Sequence, residues 1–192
     1  MFTGIVEELG IVKRISRSGN FVLLEIAALK AAKSIKAGDS VSVNGVCLTA
    51  VKAGNNLVSF EVMAETFKIT NLGGLRVNEK VNLENSLKMG DKVSGHFVLG
   101  HVDCLGIIRK KGIVSGNMVF EIAMPQEFSK YLLPKGSVAV DGISLTIQER
   151  KTCSFSVYII PHTLKNTTLD FKGPSSKVNL EFDLLAKKES VS

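Results

Sequence analysis

Two short runs carry the residues best suited to chemistry, and they share one layout. Cys47 follows Asn44-Gly45-Val46 and stands two residues before Thr49, while Ser144 follows Asp141-Gly142-Ile143 and stands two residues before Thr146. A thiol becomes a nucleophile when ionised, and serine and threonine hydroxyls both donate and accept hydrogen bonds. His96, His101 and His162 supply imidazoles that exchange protons near neutral pH. Asp141 and Asp183 add carboxylates, although the Asp141-Gly142 pair also suits a tight turn. His96, His101 and Cys104 match no compact zinc spacing and offer at most three ligands, so no metal is expected. Cys47, Cys104 and Cys153 contain no CxxC pair and form no disulfide framework; free thiols fit a cytoplasmic location.

The elements that position these residues are written twice. Gly4 to Ile11 lies over Gly100 to Ile107, Asn44 to Thr49 over Asp141 to Thr146, and Glu65 to Lys68 over His162 to Lys165; Lys80-Val-Asn-Leu-Glu84 recurs unchanged as Lys177-Val-Asn-Leu-Glu181. The offset is 96 residues at Gly4 and 97 from Asn44 onward, so the chain is two copies of a unit of about 96 residues. Within each copy, Ser40 to Val43 and Val138 to Val140 run into Asn-Gly and Asp-Gly hairpin turns. Leu57 to Val62 and Ser154 to Ile159 alternate as strands do. Ala27 to Lys33 and Pro125 to Leu132 predict one short helix per copy. Six antiparallel strands leave open edges unless they close, so the pattern predicts two small all-β barrels, residues 1–90 and 91–192, joined through Asn85 to Gly95.

Composition narrows the function. The formal charge is +6, but Lys and Arg are scattered; the largest cluster, Arg109-Lys110-Lys111 before Gly112, reads as a solvated turn, and no basic-aromatic track marks a nucleic-acid partner. No segment approaches the roughly 18 apolar residues of a membrane span, and the first residues do not read as a leader.

Taken together, Met1-Phe-Thr-Gly-Ile-Val-Glu-Glu8, Asn44-Gly-Val-Cys-Leu-Thr49, Glu65 to Leu72, Gly95-His-Phe-Val-Leu-Gly-His-Val-Asp103 and Asp141-Gly-Ile-Ser-Leu-Thr146 resemble the riboflavin synthase family along essentially the whole chain. The resemblance implies two Greek-key barrels of six strands and a homotrimer, with association with lumazine synthase as a further prospect. It also implies an enzyme that needs no cofactor, a transferase moving a four-carbon unit between two molecules of 6,7-dimethyl-8-ribityllumazine. The products are riboflavin and 5-amino-6-ribitylamino-uracil. Two alike substrates in opposite roles require two alike pockets that differ in detail, facing each other across a subunit boundary.

The same resemblance carries a site onto this chain. Cys47, His101, Ser144, Thr146, Asp141 and Asp183 take the catalytic places. Cys47 and Ser144 either add to an electron-poor ring carbon or stabilise a bound hydroxide, and His101 relays a proton at the C7 methyl. One pocket is marked by Asn44 and Cys47, the other by Asp141, Ser144 and nearby His101. Substrate contacts carry over to Gly4, Ile5, Val6, Leu48, Thr49, Glu61, Val62, Met63, Ala64, Glu65 and Thr66. In the second copy they carry over to Gly100, Val102, Lys135, Leu145, Tyr158, Ile159, Ile160, Pro161, His162 and Thr163. Glu65 and Thr66 suit ribityl hydroxyls. Leu99 and Cys104 depart from the family's Gln and Gly, and the stretch after Asp183 is shorter than the family's trimerising helix. A non-catalytic lumazine-binding protein is the rival reading; retention of Asp141, Ser144, Thr146 and His101 favours the enzyme.

Overall fold

In the computed structural model, which describes residues 1–189, the chain forms two closed antiparallel barrels. Residues 190–192, the end of the expected second unit, lie outside the described residues. The first barrel contains β1 (Glu8–Ser18), β2 (Phe21–Ala27), β3 (Ser40–Val43), β4 (Val46–Gly54), β5 (Leu57–Met63) and β6 (Lys80–Asn85), in spatial order β1-β2-β5-β4-β3-β6. The second repeats that order with β7 (Cys104–Val114), β8 (Asn117–Ala123), β9 (Ser137–Val140), β10 (Ile143–Arg150), β11 (Ser154–Ile159) and β12 (Lys177–Phe182). Closure gives every described strand a neighbour on each side, as six amphipathic strands require.

Each barrel is filled by its own alternating apolar residues. Leu24, Val41, Leu48, Phe60, Val62 and Leu83 fill the first; Phe120, Val140, Leu145, Phe155, Ile159 and Leu180 fill the second. On the outer face, Thr49 and Thr146 are exposed, whereas Asn82, Glu84, Asn179 and Glu181 of β6 and β12 are buried. Ladder irregularities at Val12/Arg14 and Ala50/Lys52 recur at Ile108/Lys110 and Ile147/Glu149, bending each copy at matching places. Among the described residues no helix is long and apolar enough to cross a membrane.

Three local expectations are corrected. Ala27 ends β2, and only Ala31–Lys33 turns as a 3-10 helix; Pro125 caps a 3-10 turn over Gln126–Tyr131 rather than opening an α-helix. The α-helices are α1 (Ala64–Ile69), α2 (Pro161–Lys165) and α3 (Leu184–Glu189). Both α1 and α2 directly follow a strand, where an alternating apolar pattern masks the change of period. The Arg109-Lys110-Lys111 run lies within β7 instead of a turn, and Lys111 Nζ donates to the carbonyls of Leu169, Asp170 and Lys172 at 2.9 to 3.1 Å. A basic run with alternating faces satisfies a strand as well as a loop, and these carbonyls supply its partner.

Candidate functional site

The two hairpin turns meet back to back between the barrels. Asn44 and Gly45 have φ of 47° and 78°, and Asp141 and Gly142 have 48° and 75°, the left-handed pair of a type I′ turn. A Cβ on Gly45 would lie 2.6 Å from the Gly142 nitrogen, so no side chain fits there. Immediately beyond the turns, β4 and β10 present Cys47 and Ser144, both half-buried, and then Thr49 and Thr146 on the same outer face.

Neighbouring strands then part in the same way in both barrels. The β4/β5 ladder reaches Ala50↔Phe60 and stops, while the start of β4 stays paired with β3 on its other edge and the end of β5 with β2 on its other edge. The β10/β11 ladder likewise stops at Ile147↔Val157. Past those points each seam is unzipped: no ladder joins the facing strands, and a strand edge without a ladder partner must satisfy its N–H and C=O groups in other ways. The first seam is flanked by Cys47, Thr49, Glu61 and Met63, then by Ala64, Glu65 and Thr66 at the start of α1. The second is flanked by Ser144, Thr146, Tyr158 and Ile160, then by Pro161, His162 and Thr163 of α2. Leu48, Val62, Leu145 and Ile159 turn their side chains into the barrel cores, so only their backbones are left for a ligand.

Two glycine segments complete the seams, and they cross over. Residues 2 and 98 form an antiparallel bridge, Phe2 N donating to Val98 O at 2.7 Å and Val98 N to Phe2 O at 3.0 Å. From there the N-terminal segment lies against the second barrel: Ser144 N donates to Gly4 O at 2.8 Å, and Val6 packs on the second core. The segment leading into the second barrel lies against the first: Cys47 N donates to Gly100 O at 2.9 Å, and Val102 packs on the first core. A Cβ on Gly100 would sit 2.5 Å from that of Cys47, and one on Gly4 would sit 2.6 Å from that of Ser144. His101 therefore emerges beside Cys47, not beside Ser144 and Asp141 as the sequence order grouped it, and exposed Ile5 stands in the matching position by Ser144.

The residue that does meet Ser144 is His96, its Nδ1 2.7 Å from the hydroxyl. Burial pushes the His96 imidazole below its ordinary range, partly offset by the charge of Asp183. A neutral ring at pH 7 pairs with a hydroxyl and is available to take a proton. Asp183 also accepts from Leu185 N at 3.0 Å at the start of α3. His96 ranks below His101 in the sequence because it lies in the linker motif; only the fold brings it to a seam.

Asp141 lies outside both seams. It is wholly buried between the barrels, where Oδ1 accepts from Asn71 Nδ2 and Asn179 N at 2.7 Å each and Oδ2 pairs with Lys172 Nζ at 2.7 Å. Asp-Gly is a turn former in both settings, and nothing local separates a turn facing a pocket from one facing another barrel. Lys135, in the left-handed region at φ 66° where the first copy has Gly38, directs its ammonium to Gln148 Oε1 at 2.8 Å. Cys104 is held inert: burial first, then Asp103 and Glu127, push its thiol up to about 12. Among the described residues no group of His, Cys, Asp and Glu could hold a metal ion. A groove of about 1060 Å³ between the barrels is lined by Phe21, Lys68, Asn71, Lys80 and Phe171 among others, and of the seam residues only Ala64 borders it.

The lumazine binding domain family matches this chain twice, over residues 3–86 and 99–183. Riboflavin synthase of Actinobacillus pleuropneumoniae is 41% identical over 187 residues, covering 97% of this chain and 87% of that one. Riboflavin synthase of Bacillus subtilis (strain 168) is 38% identical over the same shares. The chain belongs to the riboflavin synthase family. Its fold is also that of LumP: the LumP complex with riboflavin matches with a TM-score of 0.87 over 95% of this chain and 99% of that chain, at 24% identity. The LumP complex with 6,7-dimethyl-8-(1'-D-ribityl) lumazine gives 0.85 over the same shares. The duplicated barrel gives this chain two seams of one design, one bearing the thiol of Cys47 and the other the hydroxyl of Ser144.

Proposed function

We propose that this chain catalyses the dismutation of two molecules of 6,7-dimethyl-8-ribityllumazine to riboflavin and 5-amino-6-ribitylamino-uracil, and that each barrel, residues 1–90 and 91–192, holds one lumazine in its unzipped seam. The observation that carries this is the pair of matching seams with unlike polar groups, Cys47 beside His101 in one and Ser144 bonded to His96 in the other. A planar ring with amide edges suits strand edges that have no ladder partner, and the exposed Glu65 at the mouth of the first seam suits ribityl hydroxyls. Cys47 adds to an electron-poor ring carbon or steadies hydroxide there, His101 relays the C7 methyl proton, and Ser144 with Thr146 holds the other ring. The transfer needs both rings held together, and this proximity supplies much of the acceleration without a cofactor.

Each seam lies open on the outer face of its barrel, so a homotrimer that sets the first seam of one subunit against the second seam of its neighbour would enclose both rings. The three free cysteines accord with a cytoplasmic enzyme, and lumazine synthase, as the source of the substrate, is a partner to be sought by co-sedimentation. The deciding experiment mixes pure protein with the lumazine alone and follows riboflavin by absorbance. Riboflavin with one pyrimidine product each is expected; ligand binding without turnover would favour the non-catalytic reading, and dependence on an added metal would refute the mechanism.

A further inference from the structure

We propose that Glu84 and Glu181 are cross-wired positioning residues, each carboxylate at the end of one barrel setting the geometry of the seam on the other barrel. Glu181, on β12 of the second barrel, accepts Leu99 N at 2.7 Å on one oxygen and Gly100 N and His101 N at 2.8 and 3.0 Å on the other. Gly100 in turn accepts the amide of Cys47 in the first barrel. Glu84, on β6 of the first barrel, accepts Thr3 N and Thr3 Oγ1 at 2.7 and 2.8 Å, and Gly4 N at 3.0 Å. Gly4 accepts the amide of Ser144 in the second barrel. The two relays are copies of one another, each buried carboxylate being 5% exposed.

A carboxylate is required for this task. Three donors converge on two oxygens in each relay, and an amide could place only one acceptor there while turning an N–H toward the remaining donors. The glycine between has no side chain to brace it, so its carbonyl is aimed by the carboxylate behind it. The chain thereby links its seams crosswise: Glu181 fixes Cys47 and His101, and Glu84 fixes Ser144 and Ile5. This inference rests on the seams being the lumazine sites, but its first readout does not need turnover.

The test compares full-length wild type, Glu181→Gln and Glu84→Gln by amide hydrogen exchange. Glu181→Gln should speed exchange at Gly100, His101 and Cys47 by about tenfold while leaving Ser144 unchanged, and Glu84→Gln should do the reverse. Equal loosening of both seams, or loosening of the seam on the glutamate's own barrel, would overturn the proposal. Turnover supplies a second reading: Glu181→Gln should lower kcat by about tenfold and be non-additive with Cys47→Ser yet additive with Ser144→Ala, the pattern inverting for Glu84→Gln. Additivity with both would likewise overturn it. If a glutamine variant fails to fold, the same measurements on Glu181→Asp and Glu84→Asp, which keep the charge but shorten the reach, separate crosswise from same-barrel loosening. A wild type without turnover would refute the proposed activity and still leave the exchange result decisive here.

Discussion

At Cys47 the thiol is half-buried with its backbone fixed to Gly100, so its replacement tests chemistry more than packing. Cys47→Ser should lower kcat on the order of tenfold, about 1.4 kcal/mol of barrier, with a smaller change in lumazine affinity or melting temperature. Unchanged turnover would return Cys47 to a structural role. Cys104, its thiol held up at about 12, should resist alkylation at pH 8 long after Cys47 has reacted, as peptide mass mapping would show. His96 yields a pH prediction. Its folded pKa lies below the ordinary 6.5, so the unfolded chain binds the proton more readily and stability is lost as pH falls from 6.5 through the lower folded value. His96→Gln should flatten the fall of melting temperature across that acidic range, and an unaltered slope would assign it to other groups.

The hairpin turns are the elements on which both seams hang. Gly142 and Gly116 have φ of 75° and 80°, but a Cβ on Gly142 meets the Gly45 nitrogen at 2.8 Å whereas one on Gly116 meets nothing within 4 Å. Gly116→Ala should therefore cost only backbone strain, roughly 1 kcal/mol, and Gly142→Ala that strain plus the displacement of the facing turn, roughly 3 kcal/mol or more in denaturant titrations. Equal costs would mean that the back-to-back contact relaxes freely. The seams lie where a ladder ends on one edge of a strand while its other edge stays paired. In β4, Val46 to Thr49 pair with β3, and on the opposite edge the ladder to β5 begins only at Ala50, which leaves the gap beside Thr49.

For the whole molecule, the two barrels are held by a polar network in which the copies differ. Asp141 pairs with Lys172, whereas the corresponding residues of the first copy, 97 positions earlier, are neutral Asn44 and Leu75. Lys172→Leu alone strands a buried carboxylate and should destabilise by about 3 kcal/mol or more, while Asp141→Asn with Lys172→Leu restores the neutral pair and should recover most of that loss. Asp141→Asn should also affect stability more than kcat, in keeping with its place between the barrels. Assembly is tested by mixing Cys47→Ala with Ser144→Ala chains: some mixed trimers would contain an intact composite site, so activity above the sum of the two is expected. Full activity in a monomer verified by light scattering would refute a site shared between subunits.

The sequence by itself determined the duplication, the β character, the hairpin turns and the shared strand face of Cys47 with Thr49 and of Ser144 with Thr146. Each depends on neighbours in the chain: Asn-Gly and Asp-Gly favour positive φ, and alternate residues share a strand face. The recurring motifs also carried the family, which relatives of 41% and 38% identity bear out. Short helices at Ala64 and Pro161 were hidden by the strand pattern running into them, and the basic run of β7 by a composition shared with turns. Only the tertiary structure decided that Gly4 serves the second barrel and Gly100 the first, that His96 meets Ser144, and that Asp141 faces a barrel instead of a pocket. Those relations join residues such as Gly100 and Glu181, which lie 81 positions apart, and no local periodicity encodes a partner at that distance. They are fixed by barrel closure, which brings the two connecting segments together between the cores and requires every buried amide there to find an acceptor.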